Sequence, residues 1–243
     1  MVEHAVISGA GSGMGRATAV RLARAGYRVA LCGRRRDRLE ATRDLMDGEG
    51  HTVHVADLTD PSQVGPAARR ILADHPEPAA LVHCAGGLTS VAADGLAAVS
   101  EGLVEAFRAN VVSTALLTAA LADALPDRRG RVVAVGSIAG LRGGGQDYGT
   151  AKAALHGWVF DRARVLGRRG ITVNLVAPGY TAGTDFFGDG MTPARHERLV
   201  AETMTGRAGE PDDVAAAIEY LVSPAAGHVT AQVIQVNGGA LPR

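Results

Sequence analysis

The chain has 243 residues, 47% hydrophobic and 21% charged, and its 25 Lys plus Arg balance 25 Asp plus Glu to a formal net charge of zero. That length and composition suit one soluble globular domain, and the zero net charge leaves no field to attract nucleic acid or an anionic membrane. Cys32 and Cys84 are the only cysteines, which excludes a disulfide framework and fits a reducing, cytoplasmic setting.

In chain order, the N-terminus runs through VEHAVISG into a strand over 4–9, without the basic and apolar regions of a signal peptide. The strand leads directly into SGAGSGMGRATAVRLARAG. Gly9, Gly13 and Gly15 form a G-x-x-x-G-x-G turn, with Ser12 and Met14 inside it, ahead of a helix over 14–25 that Gly26 stops. Glycines at a strand–turn–helix junction let the backbone approach a pyrophosphate, which then lies on the positive helix N-terminus. A second strand, RVALCG (28–33), runs into Arg34 and Arg35 and a helix over 35–47. TVHVAD (52–57) precedes a helix over 61–74 that opens on Pro61. ALVHCA (80–85) is the fourth strand, and a long apolar helix follows over 97–125. Its most apolar part, VVSTALLTAALADALP, is too short to span a bilayer and suits a buried helix.

RVVAVG (131–136) delivers Ser137 at its carboxyl end, where α/β sheets bind ligands. After LRGGGQD, a helix over 147–168 carries Tyr148 and Lys152 on one face. Lys152 is the one lysine beside 24 arginines. A phenol has an ordinary pKa of about 10, and a cation within about 4–6 Å lowers an acid's pKa by about 1–3 units. An ammonium is a compact point charge with three donors, able to serve a tyrosine and a sugar hydroxyl together; a guanidinium fork imposes another geometry. TVNLVA (172–177), a helix over 211–222 opening on Pro211, and QVIQVN (232–237) complete the pattern. Between them, 179–209 breaks the alternation. Its Tyr180, Phe186, Phe187 and Met191, set among Gly183, Gly188 and Gly190, read as a mobile insertion with a short helix covering a ligand crevice. Apolar strands separated by helices predict a single domain over 1–243: a doubly wound α/β parallel sheet of about seven strands, a Rossmann fold. No metal site is expected.

These landmarks together resemble the short-chain dehydrogenase/reductase family, from about residue 4 to residue 239. They are the glycine turn, Asp57-Leu58 after the third strand, HCAG (83–86), Asn110 in the long helix, Ser137, Tyr148, Lys152 and PGYTAGT (178–184). The resemblance implies that Asp57 and Leu58 contact adenine, that Ala85 and Gly86 line a ribose, and that Pro178, Gly179 and Thr181 complete the cofactor site. It implies Tyr148 as general acid/base, Lys152 lowering its pKa and holding the nicotinamide ribose, Ser137 orienting a carbonyl, and Asn110 holding a water that links Lys152 to solvent. An acidic residue after the second strand suits NAD, and arginine suits the 2′-phosphate of NADP. Arg34 and Arg35 stand there, with the nearest acid, Asp37, already in the helix, so NADP(H) is expected and NAD(H) is the alternative.

The sequence is similar to the family's 3-oxoacyl-carrier-protein reductases. This implies NADPH-dependent reduction of a ketone, with oxoacyl thioesters or polyketide-type carbonyls favoured. An NAD-dependent secondary-alcohol dehydrogenase and a non-catalytic nucleotide sensor are the alternatives. A homotetramer joined through the long helices and C-terminal strand is expected, and Arg128, Arg129 and Arg169 are candidates for a carrier-protein patch. Two departures stand out. HCAG replaces the family's usual Asn-Asn-Ala-Gly, implying altered support around the cofactor. The Ser137–Tyr148 interval is also a couple of residues short, a deficit that falls on Gly143–Gly145.

Overall fold

Seven short runs of apolar, mostly β-branched residues become strands, and the amphipathic stretches between them become the helices that cover both faces. The structure, a computed structural model, describes residues 2–91 and 94–242; Met1, Ala92, Ala93 and Arg243 lie outside them. The first half contains β1 (His4–Ser8), α1 (Gly13–Arg24), β2 (Arg28–Gly33), α2 (Arg36–Arg43), β3 (Thr52–Val55), α3 (Pro61–Asp74) and β4 (Ala80–His83). After it come α4 (Gly95–Phe107), a π-helical turn (Arg108–Val112), α5 (Ser113–Leu121) and β5 (Arg131–Val135). The remainder is α6 (Ala139–Arg142), α7 (Asp147–Leu166), β6 (Thr172–Pro178), α8 (Pro193–Ala201), α9 (Pro211–Val222) and β7 (Val233–Val236).

The strands form one sheet in the order β3-β2-β1-β4-β5-β6-β7, every adjacent pair parallel. The order reverses between β1 and β4, which opens a crevice beyond their carboxyl ends, the usual ligand position in such sheets. Alternate strand residues feed two cores. Val6, Ala30, Leu81 and Val132 pack with residues of α3, α5 and α7. Ala5, Ile7, Val29 and Val133 face the other way, toward α1 and α9. Burial of both faces explains why the strands read as continuous apolar runs.

Local chemistry sets the helix starts. Pro61 and Pro211 occupy first-turn positions, where a missing N–H costs nothing. Asp60 accepts a hydrogen bond from Ser62 N, and Glu210 with Asp213 forms a reciprocal capping box.

Three expectations need correction. The second helix stops at Arg43, short of 47. The long helix begins at Gly95 and contains a π turn around Asn110, whose Nδ2 donates to Ala106 O at 3.0 Å; a side chain bonded into the helical ladder goes with such a distortion. Finally, the apolar segment weighed as too short for a bilayer is the second half of a 30-residue helical run, Gly95–Ala124, with mean hydropathy 1.2 in its best window. By length and composition that run could cross a membrane. A core helix passes the same test, and here α4 packs on α7 and α5 on α3.

Candidate active site

Two cavities lie beyond the carboxyl ends of the strands and share Met14, Leu88, Thr184 and Phe186 in their walls. The larger, about 550 Å³, is built around the glycine turn. Gly9 has φ +67°, and a Cβ there would stand 2.6 Å from Ala85 N, so only glycine lets the ends of β1 and β4 come this close. A Cβ on Gly15 would strike the Gly9 carbonyl oxygen. Arg16 fixes the turn, donating to Gly11 O at 2.8 Å and Thr42 Oγ1 at 3.1 Å. Ser12 makes no side-chain capping bond, so the first N–H groups of α1 point at the cavity without a protein acceptor from that cap.

Arg34 and Arg35 line this cavity, and Arg38 joins them from one turn into α2. Among the described residues none of the three guanidiniums has a side-chain partner, whereas the neighbouring Arg36 pairs with Glu40 at 3.4 Å. Asp57 Oδ1 accepts from Thr59 N at 2.9 Å and Thr59 Oγ1 at 2.8 Å, which holds the loop after β3 at the cavity wall beside buried Leu58. Ala85 and Gly86 lie opposite. A glycine cradle, a free helix N-terminus and three unpaired guanidiniums fit an anionic dinucleotide in shape and in charge.

The replaced asparagines are both built in. His83 is buried, with Nε2 2.7 Å from Thr118 Oγ1 and its ring edge-on to Trp158 at 6.0 Å; burial pulls its pKa down to about 3, so it is neutral. Cys84 lines the cofactor cavity, and burial pushes its thiol up to about 12. Among the described residues, no three His, Cys, Asp or Glu side chains are grouped to hold a metal ion.

The smaller cavity, about 220 Å³, has Ser137 and Tyr148 in its wall, together with Pro178, Gly179 and Thr181 from the end of β6. Ser137 follows β5 and accepts from Ala139 N at 3.1 Å. Gly136 N donates to Val176 O at 2.7 Å and Ile138 N to Pro178 O at 2.9 Å, so the ends of β5 and β6 are tied together under the serine. The shortened loop still delivers the tyrosine. Gly143, Gly144 and Gly145 take φ of 80°, 110° and 69°, and Gln146 continues at 52°, a run of left-handed backbone that turns the chain sharply into α7. Ser137 pulls the phenol's pKa downward; burial is the larger effect and takes it up to about 12.

Lys152 is 4% exposed, and its Nζ donates to Val135 O at 2.8 Å and stands 5.7 Å from the Tyr148 ring centre. Burial pulls its pKa down to about 8. Desolvation dominates at both groups, raising the phenol and lowering the ammonium. Asn110, fully buried, accepts from Gly87 N at 2.9 Å and returns a bond to Gly87 O at 3.0 Å. A Cβ on Gly86 would meet Asn110 Oδ1 at 2.5 Å and Lys152 Nζ at 3.3 Å, so the two side chains flank one small space.

A model described as enoyl-(acyl carrier protein) reductase matches residues 9–240. The (3R)-3-hydroxyacyl-CoA dehydrogenase of Mus musculus is 34% identical, over 97% of this chain and 95% of its own. The 3-oxoacyl-(acyl-carrier-protein) reductase FabG of Escherichia coli is 32% identical, over 97% and 96%. A solved short-chain dehydrogenase/reductase from Serratia marcescens superposes with TM-score 0.84 at 30% identity, covering 98% of this chain and 97% of that one. The chain belongs to the short-chain dehydrogenase/reductase family. It is an oxidoreductase of a family that uses NAD(P)(H).

Within this short-chain dehydrogenase/reductase, three features lay outside the sequence reading. Arg38 was visible only as an arginine four residues after Arg34. Phe186 was singled out as part of a covering segment, but its edge-on contact with the Tyr148 ring at 5.1 Å and its place in the walls of both cavities have no local pattern to announce them. The basic residues near the carbonyl site are also different ones. Arg128 and Arg129 precede β5, at the opposite end of that strand from Ser137. Arg129 pairs with Glu3 at 3.0 Å and Arg169 with Asp127 at 2.7 Å. The arginines in the wall of the smaller cavity are Arg142, Arg195 and Arg198.

Proposed function

We propose that this enzyme reduces a ketone to a secondary alcohol with NADP(H), taking oxoacyl thioesters or polyketide-type carbonyls. The observation that carries the reading is the meeting of Ser137 and Tyr148 in one cavity wall above a buried Lys152. The nicotinamide cofactor, when bound, supplies the hydride that adds to the carbonyl carbon. Gly9, Gly13, Gly15 and the start of α1 would hold its pyrophosphate, with Ser12 and Met14 alongside. Arg34 and Arg35, with Arg38, would take a 2′-phosphate, and Asp57 and Leu58 would flank adenine.

Ser137 donates a hydrogen bond to the substrate oxygen and fixes the carbonyl. Tyr148 gives its phenolic proton to that oxygen as charge develops there. The phenol is protonated at neutral pH, the form from which a general acid gives up its proton. Lys152, still largely protonated near neutrality, steadies the tyrosinate left behind and reaches a ribose hydroxyl. Asn110 positions the Gly87 backbone beside it, at the point where a water could return a proton.

The names of the relatives, a hydroxyacyl-CoA dehydrogenase and an oxoacyl reductase, support the substrate class. Three unpaired arginines in the larger cavity weigh toward NADPH over NADH. We also read the enzyme as cytoplasmic and homotetrameric, with the exposed apolar faces of α4 and α7 as contacts.

A panel of 3-oxo thioesters and simple ketones, followed by NADPH and NADH oxidation, tests the reading. NADPH turnover at lower KM than NADH is expected, and Tyr148→Phe should cut kcat by about 10²–10⁴-fold. A clear NADH preference would favour the NAD-dependent alcohol dehydrogenase instead, and full activity in the phenylalanine variant would remove the acid–base role.

A further inference from the structure

The whole chain is electrically neutral, yet the wall of the smaller cavity holds three arginines, Arg142, Arg195 and Arg198, against one carboxylate, Glu202. Their guanidiniums are not equivalent. Arg142, on α6, donates to Glu202 at 2.9 Å and is neutralised by it. Arg195 donates to Gly190 O at 3.0 Å and lies over the Phe187 ring at 4.8 Å, so it is engaged in holding the covering segment together. Arg198, one turn further along α8, has no side-chain hydrogen bond or ion pair among the described residues.

The rest of that wall is mostly apolar, including Ile138, Phe186, Phe187 and Leu199, with Ser137 and Tyr148 in the same wall. An arginine without a partner presents five N–H donors in a plane, a shape that fits the two oxygens of a carboxylate or phosphate. The volume, about 220 Å³, is below the roughly 300–1,000 Å³ typical of sites for drug-sized ligands, but the cleft is open to solvent and Arg198 stands exposed at its rim, so the arginine meets a group next to the carbonyl while the rest of a substrate can project outward.

We propose that the substrate is an oxo compound carrying an oxyanion, and that Arg198 is the specificity-determining residue that receives it while Tyr148 serves the carbonyl. The oxyanion has two sources that the same guanidinium would receive, a carboxylate on the oxo compound itself or the phosphate of a pantetheine-type carrier arm, and the paired substrates below distinguish them. The proposal rests on the reductase reading for the carbonyl end only. The oxyanion end stands on the charge and geometry of the wall.

The test compares matched pairs: acetoacetate and 4-oxopentanoate against their methyl esters, and acetoacetyl-CoA against acetoacetyl-N-acetylcysteamine. The readout is the ratio of kcat/KM within each pair, for the wild-type enzyme, Arg198→Gln and Arg198→Lys. A charged partner favoured by about tenfold or more, mainly through KM, is expected for the wild-type enzyme. The advantage should shrink with added salt, fall toward one in Arg198→Gln and be partly kept in Arg198→Lys, whatever these variants do to the neutral partner.

An advantage seen with the free acids assigns the oxyanion to the substrate, and one confined to the CoA thioester assigns it to the carrier arm. Equal ratios throughout the wild-type panel, or a ratio that Arg198→Gln leaves unchanged, overturn the proposal while leaving a reductase in place. Should no carbonyl be reduced at all, the reductase reading falls. Calorimetric binding of acetoacetate then decides: binding that Arg198→Gln weakens upholds the oxyanion site, and no binding overturns it.

Discussion

Lys152 answers a chemical question that 24 arginines leave open. Its ammonium is buried between Val135 O and the Tyr148 ring, with Gly86 and Asn110 close by. Three donors on a compact head can be satisfied in that space, with room to serve both the phenol and a sugar hydroxyl. A guanidinium would bring five N–H groups and a plane that must lie flat somewhere, leaving donors buried and unpaired. Lys152→Arg, which keeps the charge, should therefore lower kcat by about 10²-fold or more, the scale of losing an aligned proton-transfer group. Steady-state kinetics alongside a thermal melt checks this. An arginine variant with wild-type kcat would mean that charge alone is what the site needs. The sequence showed the tyrosine and lysine on one helical face but not that the lysine is buried and the tyrosine half-buried, and desolvation is what moves their pKa values apart from expectation. Nor could it show that Phe186, 38 residues after Tyr148, packs on that ring, because the covering segment is positioned by tertiary contacts.

At the scale of elements, the helices facing outward carry the oligomer prediction. On α4, Leu96, Val99, Val104 and Phe107 are all exposed, Leu96 at 88%, and α7 exposes Phe160 and Val165. At about 100° per residue the four α4 side chains fall on one stripe, too apolar for a surface that stays in water. Leu96→Arg combined with Val104→Arg should convert the expected tetramer to smaller species in sedimentation velocity while the far-ultraviolet circular dichroism stays that of the parent. A wild-type chain sedimenting as a monomer would dispose of the tetramer.

Elements were also where the sequence was most readable. Six of the seven strands fall within the runs assigned to them and β6 passes its run by one residue, to Pro178, since strands buried on both faces leave an uninterrupted apolar signature. The π turn, the four-residue α6 and the left-handed Gln146 left no such trace. Each depends on what packs beside it: the Asn110 side chain bonded to its own helix, the tied ends of β5 and β6, and the tight entry into α7.

Across the whole molecule, acid sensitivity is set by histidines kept neutral inside. Burial lowers His83 to about 3, and His75, linked to His4 at 2.9 Å and to Thr52 at 2.8 Å, to about 4. His54 is lowered as well, by burial first. In the unfolded chain each takes up a proton near its ordinary pKa of about 6.5. Between that value and the lower folded one the unfolded state binds more protons, so stability is full above about pH 6.5 and is lost as pH falls toward 4 and then 3. Melts from pH 7.5 to 4.5 should show a falling Tm, and His83→Asn should make the decline shallower. A Tm that stays level across that range, or an unchanged slope in the variant, would remove the histidines from the account.

The one buried lysine also makes the chain a reporter of its own unfolding. A protease that cuts only after lysine has a single target bond here, in the first half of the 20-residue α7, and the native fold withholds the side chain it must grip. The cut waits for that helix to leave the sheet. The rate of one cleavage, giving two fragments of unequal size, then counts how often the enzyme opens.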